Sequence, residues 1–125
     1  MARDLKPLVW IGSAKGDLKL LPREIAGAFG FALYEAQKGA KHPNAKPLRG
    51  FGGAGVLEVV ESRDGGTYRA VYAVRLAGRV YVLHVFQKKS KSGVATPRHE
   101  IEKIKQRLKL AEELHAAWSL EEAEK

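Results

Sequence analysis

Cysteine is absent from the 125 residues. There is therefore no disulfide framework, no thiolate nucleophile and no cysteine-based zinc site, and stability has to come from packing. No apolar run approaches the ~18 residues of a membrane span. The N-terminal text MARDLKPLVWIGSAKG lacks the long apolar stretch and cleavage site of a secretory signal. A cytoplasmic protein with no membrane partner is expected. Acidic residues are in deficit as well: 14 Asp and Glu stand against 22 Lys and Arg, a formal net charge of +8. So large an excess in so short a chain implies a polyanionic partner, nucleic acid or an acidic protein, ahead of a role in solubility alone.

The length fits one domain over residues 1–125, with no internal repeat and no boundary. Leu8 to Ile11 form a short apolar run ending at Gly12 and predict a buried strand. Ser13 is placed to cap a short helix that Pro22 ends. The same proline suits the first position of a second helix, where Ile25, Ala28, Phe29, Ala32 and Leu33 recur at helical spacing before Gly39 stops it. Ala40 to Gly55 reads as a loop carrying Lys46 and Arg49. Val56 to Glu61, the turn SRDGG and Thr67 to Leu76 make a hairpin, and Arg79 to Lys88 adds a third strand. Thr96 and Pro97 then open a long helix with Ile101, Ile104, Leu108, Ala111 and Trp118 on one face, and residues from about 121 to 125, with nothing to bury, are expected to fray. The fold class is α+β: an N-terminal strand, two helices, a three-stranded antiparallel meander in one mainly antiparallel sheet, and a C-terminal helix.

If the polyanion is RNA, cutting it without a metal requires the 2′-hydroxyl to attack phosphorus while fixed cations stabilise the phosphorane. Arginine suits that task because its planar fork holds two phosphate oxygens, and preorganised charge of this kind contributes about 3–4 kcal/mol to lowering a barrier. Arg69 lies inside a strand, where Arg69, Val71, Ala73 and Arg75 share one face and Tyr68, Ala70, Tyr72 and Val74 the other. On the next strand Val82, His84, Phe86 and Lys88 alternate with Tyr81, Leu83, Val85 and Gln87. Two readings of Arg69 are open, a cation aimed at a ligand and an exposed cation on the solvent side of the sheet. Lys88, Lys89 and Lys91 gather at the strand's end, either to meet phosphate or as a solvated terminus. Glu58 can pair with Arg69 across the hairpin or act as a base. His84 fits a hydrogen-bonded core position better than an acid–base role. With His42, His99 and His115 scattered, neither a metal site nor a cofactor is expected. The segment GFGGAG precedes a strand instead of linking a strand to a helix, so it is no nucleotide fingerprint, and flexibility in a connector accounts for its glycines.

Four pieces of text in this order, LLPREIAGAFGFALYEAQKG, AKPLRGFGG, TYRAVYAV and VYVLHVFQKKSKSGVATPRHEI, closely resemble the phage-derived HigB-like branch of the RelE toxin superfamily, from Lys6 to about Glu113. The resemblance implies the toxin of a type II toxin–antitoxin system. Such a toxin is an endoribonuclease (mRNA interferase) that cleaves mRNA on the ribosome, inhibits translation and is neutralised by a HigA-like helix-turn-helix antitoxin. By position, Arg69 matches the family's strand arginine at the scissile phosphate, and Lys88 with Lys89 matches the basic pair at the last strand's end. Lys46 and Arg49 match the basic loop before the meander, with Lys91 a further RNA-binding candidate. Glu58 and His84 fall at recurrent positions with supporting roles unassigned. The C-terminal text LHAAWSLEEAEK departs from relatives that carry a Tyr or His there as general acid or base. The same superfamily includes ParE-like inhibitors of DNA gyrase, which are not enzymes, and an inactive relative that only binds nucleic acid or antitoxin is a further alternative.

Overall fold

The computed structural model describes residues 5–88 and 96–125. Within them the elements are β1 (Leu8–Trp10), α1 (Ala14–Lys19), α2 (Arg23–Gln37), β2 (Ala45–Pro47), β3 (Val56–Arg63), β4 (Gly66–Ala73), β5 (Val80–Lys88) and α3 (Arg98–Ala123). The strands form one sheet in the order β1-β5-β4-β3-β2. All neighbours are antiparallel except β1, which runs parallel to β5. This is the α+β arrangement anticipated from the sequence, with an edge strand added inside the expected loop. Ala45 anchors that edge in the core, and an edge position tolerates Pro47, which has no amide to donate. Among the described residues no helix is long and apolar enough to cross a membrane.

The β3–β4 hairpin closes through Asp64 and Gly65, at φ 51° and 81°. Positive φ at both central positions gives a turn whose twist matches that of the strands it joins, which fixes the register of everything beyond it. Period-two alternation then sorts the side chains. Tyr68, Ala70, Tyr72, Val80, Val82 and Val85 gather with Ile25, Phe29, Ala32 and Leu33 of α2. Val71, Ala73, Tyr81, Leu83 and Phe86 gather with Ile104 and Ala111 of α3. Burying a side chain of this size contributes about 1.5–3 kcal/mol.

On β5 the alternation slips. Val71 pairs with His84 but Tyr72 pairs with Val82, so Leu83 is an extra residue in a β-bulge. Tyr81, Leu83, His84 and Phe86 consequently all serve the α3 side, and the expected grouping of Val82 with His84 does not hold.

Helix starts differ from expectation too. Ser13 makes no side-chain cap to α1; its hydroxyl donates to the Asp17 carboxylate at 2.7 Å. Pro22 and Pro97 occupy the N-cap positions of α2 and α3, one residue earlier than expected, and Thr96 makes no cap. α3 stays helical to Ala123, supported near its end by the exposed Lys125–Glu122 pair at 2.7 Å.

Candidate active site

Hairpin register decides what Arg69 meets. Arg69 stands between Val60 on β3 and Phe86 on β5, while Glu58 pairs with Val71 and Lys46 of β2 pairs with Glu58. Steps of two residues preserve the face, so Arg69, Glu58 and Lys46 all lie on the α3 side. Lys88 pairs with Thr67, two residues before Arg69. It is a diagonal neighbour on the same face, at a typical spacing of about 7–8 Å.

Arg69 is only 2% exposed, so it is not a solvent-facing cation on an open sheet. Its Nη1 donates to Glu58 Oε2 at 3.1 Å and to Thr96 Oγ1 at 3.3 Å, and the Thr96 hydroxyl donates to the same Glu58 oxygen at 2.7 Å. The hydroxyl freed from helix capping thus closes a three-membered ring of guanidinium, carboxylate and threonine. A charge withdrawn from water needs such fixed partners, and they hold the guanidinium in one orientation. Beside it, Asn44, Lys46, Glu58 and Val60 line a depression of about 170 Å³.

His84 joins a second network. Arg107 Nη1 can only donate, and it lies 3.2 Å from His84 Nδ1, so the proton of the neutral ring is on Nε2 and is donated to Glu100 Oε1 at 2.7 Å. Burial lowers the pKa of His84, with Glu100 opposing through its hydrogen bond and charge. Arg107 also donates to the Leu83 carbonyl at 3.0 Å and to Ser13 Oγ at 3.1 Å. With both ring nitrogens engaged and the ring stacked on Phe86, His84 ties β5 to α3 as a hydrogen-bonded core residue.

The structure thus brings together Arg69, Glu58, Lys46 and Lys88 and separates Arg49 from them. Arg49 is exposed in the turn after Leu48, whose amide donates to the Val56 carbonyl. That is beyond the Val56 rung, more than four strand steps of about 3.3 Å each from the Val60–Arg69 rung. His115 donates to or accepts from the Tyr81 hydroxyl at 2.9 Å, at the far end of α3. Lys89 and Lys91 lie outside the described residues. Among the described residues no three His, Asp or Glu side chains gather as a metal site. Sequence reasoning missed Thr96, Glu100 and Arg107 as working side chains. The usable signal was Glu100, Ile104, Arg107 and Ala111 at helical spacing, two polar groups set into an apolar stripe.

Known families place the chain by its sequence. The model described as Phage derived protein Gp49-like (DUF891) matches residues 16–109, well over half of the length. The chain belongs to this Gp49-like family. No curated protein matches it significantly. Among solved structures, the Gp49-like chain is similar to one in the toxin–antitoxin complex RelBE2 from Mycobacterium tuberculosis. The identity is 24%, the match covers 71% of this chain and 98% of the other, and the TM-score is 0.44. Within the Gp49-like chain, the matched region contains Arg69, Glu58, Lys46, Lys88, Thr96 and Arg107.

Proposed function

We propose that this protein is the toxin of a type II toxin–antitoxin pair, a RelE-like, HigB-like endoribonuclease that cuts mRNA on the ribosome without a metal and is silenced by a HigA-like helix-turn-helix antitoxin. The observation that carries the reading is the guanidinium of Arg69, held by Glu58 and Thr96 on the sheet face that also bears Lys46 and Lys88. The family membership, the +8 charge and the sequence likeness to HigB-like toxins support it.

In this reading the 2′-hydroxyl attacks the adjacent phosphorus, and Arg69 stabilises the added negative charge on the phosphorane. Glu58 orients the guanidinium instead of acting as a base, since one of its oxygens already accepts two hydrogen bonds. Because Arg69 is covered, an incoming phosphate has to replace Thr96 at Nη1. Lys88 and Lys89 join Arg69 as the catalytic cations, and Lys46, Arg49 and Lys91 bind the rest of the RNA strand. His84 supports β5 from below.

The test is to express the protein and map RNA 5′ ends genome-wide. New cuts inside translated messages should vanish in Arg69→Ala. Arg69→Lys keeps the charge but loses the fork, and controls for loss of folding; it should fold and still cut at least a hundredfold more slowly, about 3 kcal/mol of barrier. Cuts that persist in folded Arg69→Lys at the original rate would remove Arg69 from the chemistry.

A further inference from the structure

A cavity of about 390 Å³ lies on the other side of the sheet, between the end of α2 and the glycine-rich loop before β3. Its volume falls in the range of roughly 300–1,000 Å³ typical of ligand pockets. Its floor is apolar, with Ala36, Leu57 and Val74, while three basic residues, Lys6, Lys41 and Arg75, stand in its wall, and among the described residues no carboxylate lines it.

The backbone of Lys6 and the guanidinium of Arg75 are held in place. The Lys6 amide donates to the Gln37 carbonyl at 3.0 Å and Gln37 Nε2 returns a bond to the Lys6 carbonyl at 2.8 Å, pinning the lysine backbone to the end of α2. Arg75 Nη1 donates to the Gly53 carbonyl at 2.6 Å. Its stem crosses Gly55 so closely that a Cβ there would collide with Arg75 Cγ. Gly55 is also at φ +70°, so a loop glycine that the sequence explained as flexibility is the seat of an oriented guanidinium.

Cations near a helix C-terminus can simply satisfy its carbonyls, but here those are already engaged. Tyr34, Glu35, Ala36 and Gln37 carbonyls accept from the amides of Lys38, Ala40, Gly39 and Lys6. Among the described residues Lys6 and Lys41 form no ion pair, and Arg75, bonded to the neutral Gly53 carbonyl, keeps its charge as well.

We propose that this cavity binds one nucleotide, its base on the apolar floor and its phosphate among Lys6, Lys41 and Arg75, and that the source is a single RNA strand passing the face opposite Arg69. This goes beyond the reading of the Arg69 site and does not depend on it.

The test uses a labelled 2′-O-methyl oligoribonucleotide, which cannot be cut through its 2′-oxygen, with fluorescence anisotropy on the full chain over a salt series. Lys41→Ala combined with Arg75→Ala should weaken binding at least tenfold and flatten the salt dependence by about 0.7 log units per log salt, the figure for the one phosphate no longer neutralised. Lys41→Ala alone, an exposed position that leaves packing intact, should account for about half of the flattening. Adenosine monophosphate should compete with the strand on the wild type and lose that ability on the double variant. Unchanged affinity and slope in both variants would overturn the proposal, as would equal competition by inorganic phosphate, which leaves the base without a place. Competition by the mononucleotide with no effect of the variants on the oligonucleotide would overturn the RNA strand as the source. Loss of RNA cutting is not read in any arm, so the outcome stands apart from that of the Arg69 test.

Discussion

On the α2 side of β4, Tyr68, Ala70 and Tyr72 share an apolar cluster with Ile25, Phe29, Ala32 and Leu33. On the α3 side, Val71 and Ala73 pack into an apolar cluster with Ile104 and Ala111 at one end of the strand, while Arg69 at the other end is held by hydrogen-bonding partners. The same eight-residue strand serves both rules because α3 covers only part of its face. Where the helix packs, the sheet carries Val71, Tyr81 and Leu83; where it begins, Thr96 turns a hydroxyl toward the sheet and a charge can be kept. A charged group is thus kept on this sheet where the covering helix starts, and an apolar one where it lies.

Several substitutions sharpen that contrast. Phe29→Ala on the apolar side should be the most damaging, about 3–5 kcal/mol, because Phe29 is fully buried between α2 and the sheet. Urea unfolding measures it, and a loss below about 1 kcal/mol would mean the α2 side is not the main core. Glu58→Ala on the polar side should cost about 3 kcal/mol, the lower end for removing one partner of a buried ion pair, since Thr96 still holds Arg69. Glu58→Gln keeps an acceptor and should recover most of that stability; if both variants unfold alike, the carboxylate's charge is essential beyond its geometry.

The His84 network gives a smaller effect that depends on pH. Its folded pKa is lowered from 6.5 by burial, so between the two values the unfolded chain binds more protons. Its contribution to stability is complete above about pH 6.5 and is lost as pH falls through the lower, folded pKa. The urea midpoint should therefore drop between about pH 7.5 and pH 5, and His84→Asn should flatten the drop. A variant with the wild-type pH profile would assign the drop to other groups. Least of all, Lys46→Ala should change stability by no more than about 0.5 kcal/mol, being exposed at the sheet edge. It should still reduce the salt dependence of RNA binding by about 0.7 log units per log salt. An unchanged slope would make Lys46 a bystander.

Periodicity and turn chemistry made the helices, the hairpin and the meander legible, because apolar spacing is what packing selects. Arg69 stood out as a cation inside an otherwise apolar strand. Three features escaped. β2 is three residues long, too short to show any period, and contains a proline that reads as loop. Thr96 fits the pattern of a helix cap, and only its tertiary neighbours divert the hydroxyl to Glu58. How the β4 and β5 faces line up depends on Leu83, and a two-residue rhythm cannot reveal where it breaks.

That extra residue adds to β5 without turning either of its ends over. Excising Leu83 would bring the strand back into step and leave Tyr81, His84 and Phe86 toward α3 and Val82 and Val85 toward α2. What the insertion supplies is local: one more apolar side chain under α3 and the carbonyl that Arg107 binds. A shortened ribbon would keep both its faces and lose a mooring point for the long helix.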